Sequence, residues 1–267
     1  MSVSGVVRSN SSRQEIRAIL RSHLDNYFSG TLGTVDDIEN IMMGLIHRET
    51  GFDPDKRHKS VGDSRYSTRT TAYRAWNSPV FKNVLSTGNA EQKANLEQAF
   101  VAWGLMGSMG WNHIRNAGGG PTEIERYRPD LAPQLMVNAG ESVRDKMAGR
   151  ENMSRQILAG LTMWEAKWRQ VKGSGNSWQA GRYTFSTRIL AATAAYLGLG
   201  PKDLKTGMTP EQYARSIVFG ADYRAANNTD PKVASKPSKP NPTQAENKQQ
   251  GPVQTAASGY NRQAPGC

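Results

Sequence analysis

The chain has 267 residues, enough for one large domain or two small ones. Apolar content of 37% and mean hydropathy of −0.65 are low for a chain packed throughout, so part of it is expected to stay outside any core. A formal charge of +11 points to an anionic partner, such as nucleic acid, anionic lipid or acidic wall polymer. The cations are dispersed and form no nucleic-acid-binding motif, which argues against the first of these.

Residues 1–11 are Ser/Val/Gly-rich and expected to be loose, and residues 1–14 lack the apolar run of a secretory signal. Ser12 to Tyr27 reads as an amphipathic helix with Ile16, Ile19, Leu20, His23, Leu24 and Tyr27 on one face, closed by Gly30. Thr34, with Asp37 three residues on, offers the N-cap of a second helix, Val35–Glu49. Its apolar stripe passes through Val35, Ile38, Ile41 or Met42 and Leu45, and reaches Glu49. Gly51 and Pro54 then stop the helix.

Asp55 to Thr71 is a polar stretch expected to be a surface loop. A short helix within Thr71–Leu85 and a clearer one over Asn89–Trp103 follow. Trp103 to Asn112 carries Gly104, Gly107 and Gly110 between Trp and Met residues, a pattern suited to close backbone approach rather than helix. Gly118-Gly119-Gly120-Pro121 is a break without the Gly-Lys-Ser/Thr of a phosphate loop. Pro129–Arg150 and Asn152–Val171 read as two helices, Gly173–Gly181 as a loop, and Thr184–Leu199 as an Ala-rich helix. The longest apolar stretch, Ile189–Leu199, is too short to span a bilayer. Thr209-Pro210-Glu211-Gln212 opens a last helix running to about Ala226. No strand alternation stands out, so the expected fold is all-α over 12–227. Residues 228–267 are rich in Pro, Gln and Asn, carry +3 of the charge, and read as a disordered tail or a docking arm. The only cysteine is Cys267, which leaves no intramolecular disulfide and no cysteine metal site. The chain is therefore expected to be soluble.

Among chemistries, a metal site finds no H-E-x-x-H among His23, His47, His58 and His113. A serine nucleophile finds no G-x-S-x-G, since Gly107-Ser108-Met109-Gly110 departs from it. Trp164 and Trp168, one turn apart, read as core. For Trp103 and Trp111, stacking on a sugar and packing in the core are equally open. Glu49 is the distinctive group. On an apolar stripe and at the negative end of a helix dipole, its carboxyl would be held protonated, as a general acid requires. By spacing alone it could equally point outward to solvent.

The stretch Leu45-Ile46-His47-Arg48-Glu49-Thr50-Gly51-Phe52-Asp53-Pro54 resembles the first motif, L-I-x-x-E-S-x-F-x-P, of the lytic transglycosylase (SLT, goose-lysozyme-like) family. Gly104-Leu105-Met106 resembles the second, G-L-M-Q, and Met109-Gly110-Trp111-Asn112 resembles a continuation seen in phage members. Ile157-Leu158-Ala159-Gly160 is similar to the helix before the last motif. Ala194-Ala195-Tyr196-Leu197-Gly198, followed by Gly200-Pro201, resembles that motif, A-Y-N-x-G. The likeness covers about residues 35 to 220 in the family's order. Gly107 and Leu197 stand where the family has Gln and Asn, and Thr50 replaces Ser while keeping the hydroxyl.

The resemblance implies a lysozyme-like helical domain that cleaves the β-1,4 bond between N-acetylmuramic acid and N-acetylglucosamine in peptidoglycan. Glu49 would be the acid and then the base, giving a 1,6-anhydromuramoyl end, with no cofactor and no metal. Thr50 would orient Glu49, Leu105 and Met106 would line the cleft, and Tyr196 would hydrogen-bond near the acid. Asn112 could stand in for a lost substrate contact. The alternatives are a muramidase or endolysin using a loop carboxylate such as Asp63 as base, and a non-catalytic virion protein on the same fold. A nucleic-acid binder is the outside reading. The phage-like continuation implies a virion protein that opens the wall locally during genome delivery, with the tail as a link to other virion proteins.

Overall fold

The helix that carries Glu49 is buried through its middle turns, from Ile38 to Ile46. The computed structural model describes residues 4–58, 62–198 and 207–227, and for 4–12, 58, 62 and 63 the backbone alone. Helix α1 (Ser4–Tyr27) begins before the expected Ser12, because nothing in its first turns breaks a helix. Helix α2 (Val35–Thr50) starts at Thr34, whose side chain accepts from the Asp37 amide, and ends at Gly51 in the left-handed region. Ile38, Ile41, Met42, Met43, Leu45 and Ile46 of α2 are all buried. Strand β1 (Arg57–His58) and a 3₁₀ turn over Gly62–Tyr66 lie in the polar stretch expected to be a loop.

Helices α3 (Thr71–Trp76) and α4 (Pro79–Thr87) replace the single short helix, divided by Ser78, which caps α4 ahead of Pro79. Helix α5 (Ala90–Glu97) passes through a 3₁₀ turn into strand β2 (Ala102–Trp103), which pairs with β1 and with β3 (Ser108–Met109). A 3₁₀ turn over Gly110–His113 follows. Helix α6 (Glu123–Tyr127) opens with a capping box at Thr122 and Glu125. The expected helix over Pro129–Arg150 is instead two single turns, α7 (Ala132–Leu135) and α8 (Arg144–Met147), with extended chain between them. There Val137 forms a parallel bridge with Ile114, and Gly140 takes φ +91. Local tertiary pairing overrides propensity here.

Helix α9 (Met153–Gln170) is the second central helix. The segment read as a loop after it is a three-stranded antiparallel meander, β4 (Lys172–Ser174), β5 (Ser177–Ala180) and β6 (Tyr183–Phe185). Its strands are too short for alternation to show, but Gly175-Asn176 and Gly181-Arg182 are two-residue hairpin loops between paired residues. Helix α10 (Arg188–Tyr196) packs on α9 and on the meander. Helices α11 (Pro210–Val218) and α12 (Ala221–Asn227) divide the expected last helix at Phe219-Gly220.

The fold is mostly helical, with six short strands among the described residues. The described residues fall in one compact unit. The tail beyond 227, Gly200-Pro201 and the side chain of Asp63 lie outside the described residues. Helix α2 packs on α1, α11 and most extensively α12, while α9 packs on α1, α6 and α10. A Cβ on Gly44 would meet the Ile217 carbonyl oxygen at 2.5 Å, so this glycine lets α2 lie against the last two helices. Among the described residues no helix is long and apolar enough to cross a membrane.

Ser108 and His113 form a pair sealed inside this fold. His113 Nδ1–H donates to the Leu135 carbonyl at 3.3 Å, and Nε2 accepts from the Ser108 hydroxyl at 2.9 Å. Both side chains are buried, so the hydroxyl is closed to substrate. Burial lowers the imidazole to about 4. Between pH 6.5 and 4 the unfolded chain takes up this proton and the native one does not, so stability falls as pH falls through that window. His113→Gln should remove up to about 3 kcal/mol of that acid sensitivity, read as the slope of unfolding free energy against pH.

Candidate active site

Three segments distant in sequence meet at the turn between β2 and β3. Gly104 takes φ +69 and Gly107 φ +62, and the Gly107 amide donates to the Gly104 carbonyl at 3.0 Å. The two residues between them, Leu105 and Met106, are 0% and 1% exposed. A turn buried this deeply must have its backbone polar groups satisfied. Three helices do so. Gln156 Oε1 on α9 accepts from the Leu105 amide at 3.0 Å. The Thr50 hydroxyl at the end of α2 donates to the Leu105 carbonyl at 3.0 Å, sharing its proton with the Ile46 carbonyl. The Tyr196 hydroxyl on α10 donates to the Met106 carbonyl at 2.6 Å.

Glu49 precedes Thr50 on the same helical turn and is half-buried. Desolvation lifts its carboxyl to about 7, Arg48 pulls it back, and the charge of Asp222 adds to the rise. Glu49 in turn helps burial to push the Tyr196 phenol up, so the two groups share one electrostatic environment. Keeping a carboxyl in such surroundings costs on the order of 3 kcal/mol at alkaline pH. The buried apolar side chains of α2, each contributing about 1.5–3 kcal/mol, outweigh it.

The next turn is strained as well. Phe52 follows Gly51 into the left-handed region with φ +70, a conformation that costs a bulky residue about 1–2 kcal/mol. Its ring is held between His47, 5.7 Å away, and the Arg13 guanidinium, 4.7 Å from its centre.

Of the residues singled out in the sequence, Glu49, Thr50, Leu105, Met106 and Tyr196 come together. Their roles differ from expectation in one respect: the side chains of Leu105 and Met106 pack into the core and do not line a cleft. Met106 lies against Gly160 of α9, where a Cβ would meet its Sδ at 2.3 Å. Asn112 is half-buried on the 3₁₀ turn after β3. Gly107 stands in a left-handed position that a Gln would occupy only with strain, so the turn geometry favours the departure from the motif. Leu197 caps the end of α10 and packs against the core.

Trp103 is buried, with its indole N–H donating to the Gln98 carbonyl at 2.8 Å. It is a core residue. Trp111 packs edge-on against Phe100, and Trp164 stacks on Trp168 at 5.4 Å. The described histidine side chains go separate ways: His23 to Ser154, His47 to Asp222, and His113 to Ser108. Among the described residues no group of three His, Cys, Asp or Glu is placed to hold a metal ion.

Two parts of the site were missed in the sequence. Gln156 is 1% exposed, and its Nε2 donates to the Pro54 carbonyl at 3.2 Å and the Gly149 carbonyl at 2.9 Å. It joins the end of the first motif to the β2–β3 turn. Its signal was a polar residue on the apolar face between Met153 and Gly160. Asp222 is 5% exposed on α12 and accepts from His47 Nδ1–H at 3.0 Å. It too sits on a buried face, four residues before Ala226. Comparison of the chain with protein-family models, with curated proteins and with solved structures finds no match.

Proposed function

We propose that this chain is a peptidoglycan lytic transglycosylase on a lysozyme-like helical fold. One observation carries the reading: a half-buried carboxyl lifted to about 7 stands where three sequence-distant motif segments converge. Glu49, protonated near neutral pH, donates to the glycosidic oxygen between C1 of N-acetylmuramic acid and O4 of N-acetylglucosamine. As that bond breaks, the acetamido group of the muramic acid stabilises the cationic C1. The Glu49 carboxylate then removes the proton of the O6 hydroxyl, and O6 bonds to C1 to close the 1,6-anhydro ring. The acid is regenerated, and neither water nor a second carboxylate enters the balance.

This differs from the paired carboxylates of most glycosidases. Asp222 is a poor candidate for a second one, because it is buried at the α2–α12 interface and held by His47. Thr50 supports the assignment by tying the acid's helical turn to the turn at Leu105. Net charge of +11 suits an acidic wall. With the phage-like segment at Met109–Asn112, it supports a virion protein that opens peptidoglycan locally during genome delivery.

The test is mass spectrometry of soluble muropeptides released from purified sacculi. Anhydro ends are expected. Reducing ends would move the assignment to a muramidase, and binding without release to a structural protein on this fold.

A further inference from the structure

A cleft of about 440 Å³ opens between helix α4 and the two extended segments that pair at Ile114 and Val137. None of the residues gathered around Glu49 lines it. One wall is a face of α4, where Val80, Asn83 and Val84 recur at the spacing of a helical turn. The other wall forms where the paired segments run out: Arg115 and Asn116 leave one, Asn138 and Ala139 the other. Both segments are held firmly. The Val137 amide donates to the His113 carbonyl at 2.8 Å, and the Arg115 amide donates to the Val137 carbonyl at 2.9 Å. Asn116 takes φ +54, its amide donating to Glu125 Oε2 at 3.3 Å, and the Asn138 amide donates to Glu141 Oε2 at 2.8 Å. Gly140 brings the chain down onto α4: a Cβ there would meet Val84 Cγ1 at 3.3 Å. The cleft is thus preformed, and its volume is in the range of small-ligand sites.

Its polar side chains are three carboxamides and one guanidinium. Asn83 and Asn116 are exposed, and among the described residues their carboxamides make no hydrogen bond. Asn138 donates to Glu141 Oε1 at 3.1 Å and keeps its carbonyl oxygen for another donor. Arg115 Nη1 stands 3.9 Å from Glu125 Oε1, at the limit of an ion pair, and the side chain is 38% exposed. Its fork of donors is open to a carboxylate. A sugar ring calls for an aromatic face, a phosphate for several cations, and a metal ion for carboxylate or imidazole ligands. Carboxamides around the aliphatic groups of Val80, Val84 and Ala139 match a peptide instead. Each carboxamide offers a donor and an acceptor to backbone C=O and N–H, and the aliphatic floor takes methyl side chains. We propose that this cleft binds the short peptide of the cell-wall polymer, an alanine-rich, amide-linked chain with free carboxylates, one of which pairs with Arg115. The choice of this peptide rests on the peptidoglycan reading. Arg115 follows the 3₁₀ turn that carries Asn112, so the cleft is built on the chain that leaves the β2–β3 turn.

The experiment adds the synthetic tetrapeptide L-alanyl-γ-D-glutamyl-L-lysyl-D-alanine to the full chain and follows side-chain amides by proton–nitrogen NMR. The pairs of Asn83, Asn116 and Asn138 are assigned by their loss in single variants. They should shift and saturate as peptide is added. The peptide with its carboxylates amidated should bind about tenfold more weakly, and so should the unmodified peptide to Arg115→Gln or to Asn83→Ala combined with Asn116→Gly. Glycine keeps the left-handed turn at 116, and alanine suits the exposed face of α4. Should a variant still not fold, the wild-type shifts and the amidated peptide carry the test. No shift at the three carboxamides, or equal affinity for the amidated peptide, would overturn the inference. So would a peptide-free tetramer of N-acetylglucosamine that moves these resonances where the peptide does not. Peptide binding with sacculi left intact keeps the cleft and removes the transglycosylase reading. Release of anhydro-muropeptides without any shift on adding peptide removes the cleft alone.

Discussion

Glu49→Gln should abolish the release of anhydro-muropeptides, lowering cleavage by roughly a thousandfold or more, in line with removal of a general acid that acts alone. The same substitution should raise stability at alkaline pH. The carboxyl titrates near 7 in the folded chain and near its ordinary value of 4.5 in the unfolded one. Below 4.5 both states hold the proton. As pH rises from 4.5 through 7 the unfolded chain releases it first, so wild type loses stability across that window. Gln does not titrate, and at pH 8 it should be more stable by on the order of 1–3 kcal/mol, the range allowing for partial solvent screening. Thermal unfolding at pH 4 and pH 8 checks this, alongside product analysis. An inactive variant with no alkaline gain in stability would mean that Glu49 is not held in a desolvated, protonated state.

Gln156→Leu is the second large effect. The shape is nearly kept, but the Leu105 amide and the Pro54 and Gly149 carbonyls lose their partner. Each buried group left unsatisfied costs about 1–3 kcal/mol, so the variant should lose roughly 3 kcal/mol or more in denaturant unfolding. Space adds a further constraint. A Cβ on Gly104 would meet Gln156 Cγ at 2.6 Å, which shows how closely the turn is seated on this one side chain. Activity should fall further than stability alone accounts for, because the turn that receives Thr50 and Tyr196 would shift. Gln156→Glu would be no rescue, since a carboxylate cannot donate to Pro54 and Gly149.

The central helices were legible because their signals are local and repeated. The stripe from Val35 to Glu49, the cap at Thr34 and the stop at Gly51 all agree, and α2 follows them to within a residue. The same holds for α9. What failed was decided by pairing at a distance. Val137 is extended because Ile114 lies beside it, and no pattern within 129–150 announces that. The strands of the meander span three or four residues, below the length at which alternation becomes visible, and only the Gly-Asn and Gly-Arg loops marked them. In the site, Glu49 was legible from its place on the stripe. Leu105 and Met106, expected to line a cleft, are instead the packed floor of a turn whose backbone does the bonding. Gln156 and Asp222 were passed over because a single polar residue on an apolar face is easily read as noise, though each is where burial demands a partner.

The clamp of α11 and α12 on α2 also bears on when the protein can act during its own synthesis. The contact between His47 and Asp222 joins residues 175 positions apart, and Asn227 reaches back to the Asn40 carbonyl at 2.9 Å. The helix that carries Glu49 leaves the ribosome well before α11 and α12, the elements that cover it. Until residue 227 is available, the face of α2 that meets Ile217 and Tyr223 has no cover. Its folding is therefore bound to long-range closure, the slow kind. A nascent or truncated chain lacking those two helices would hold α2 without its seat, so on the proposed function any cleavage would have to wait until residues 210–227 had folded against it.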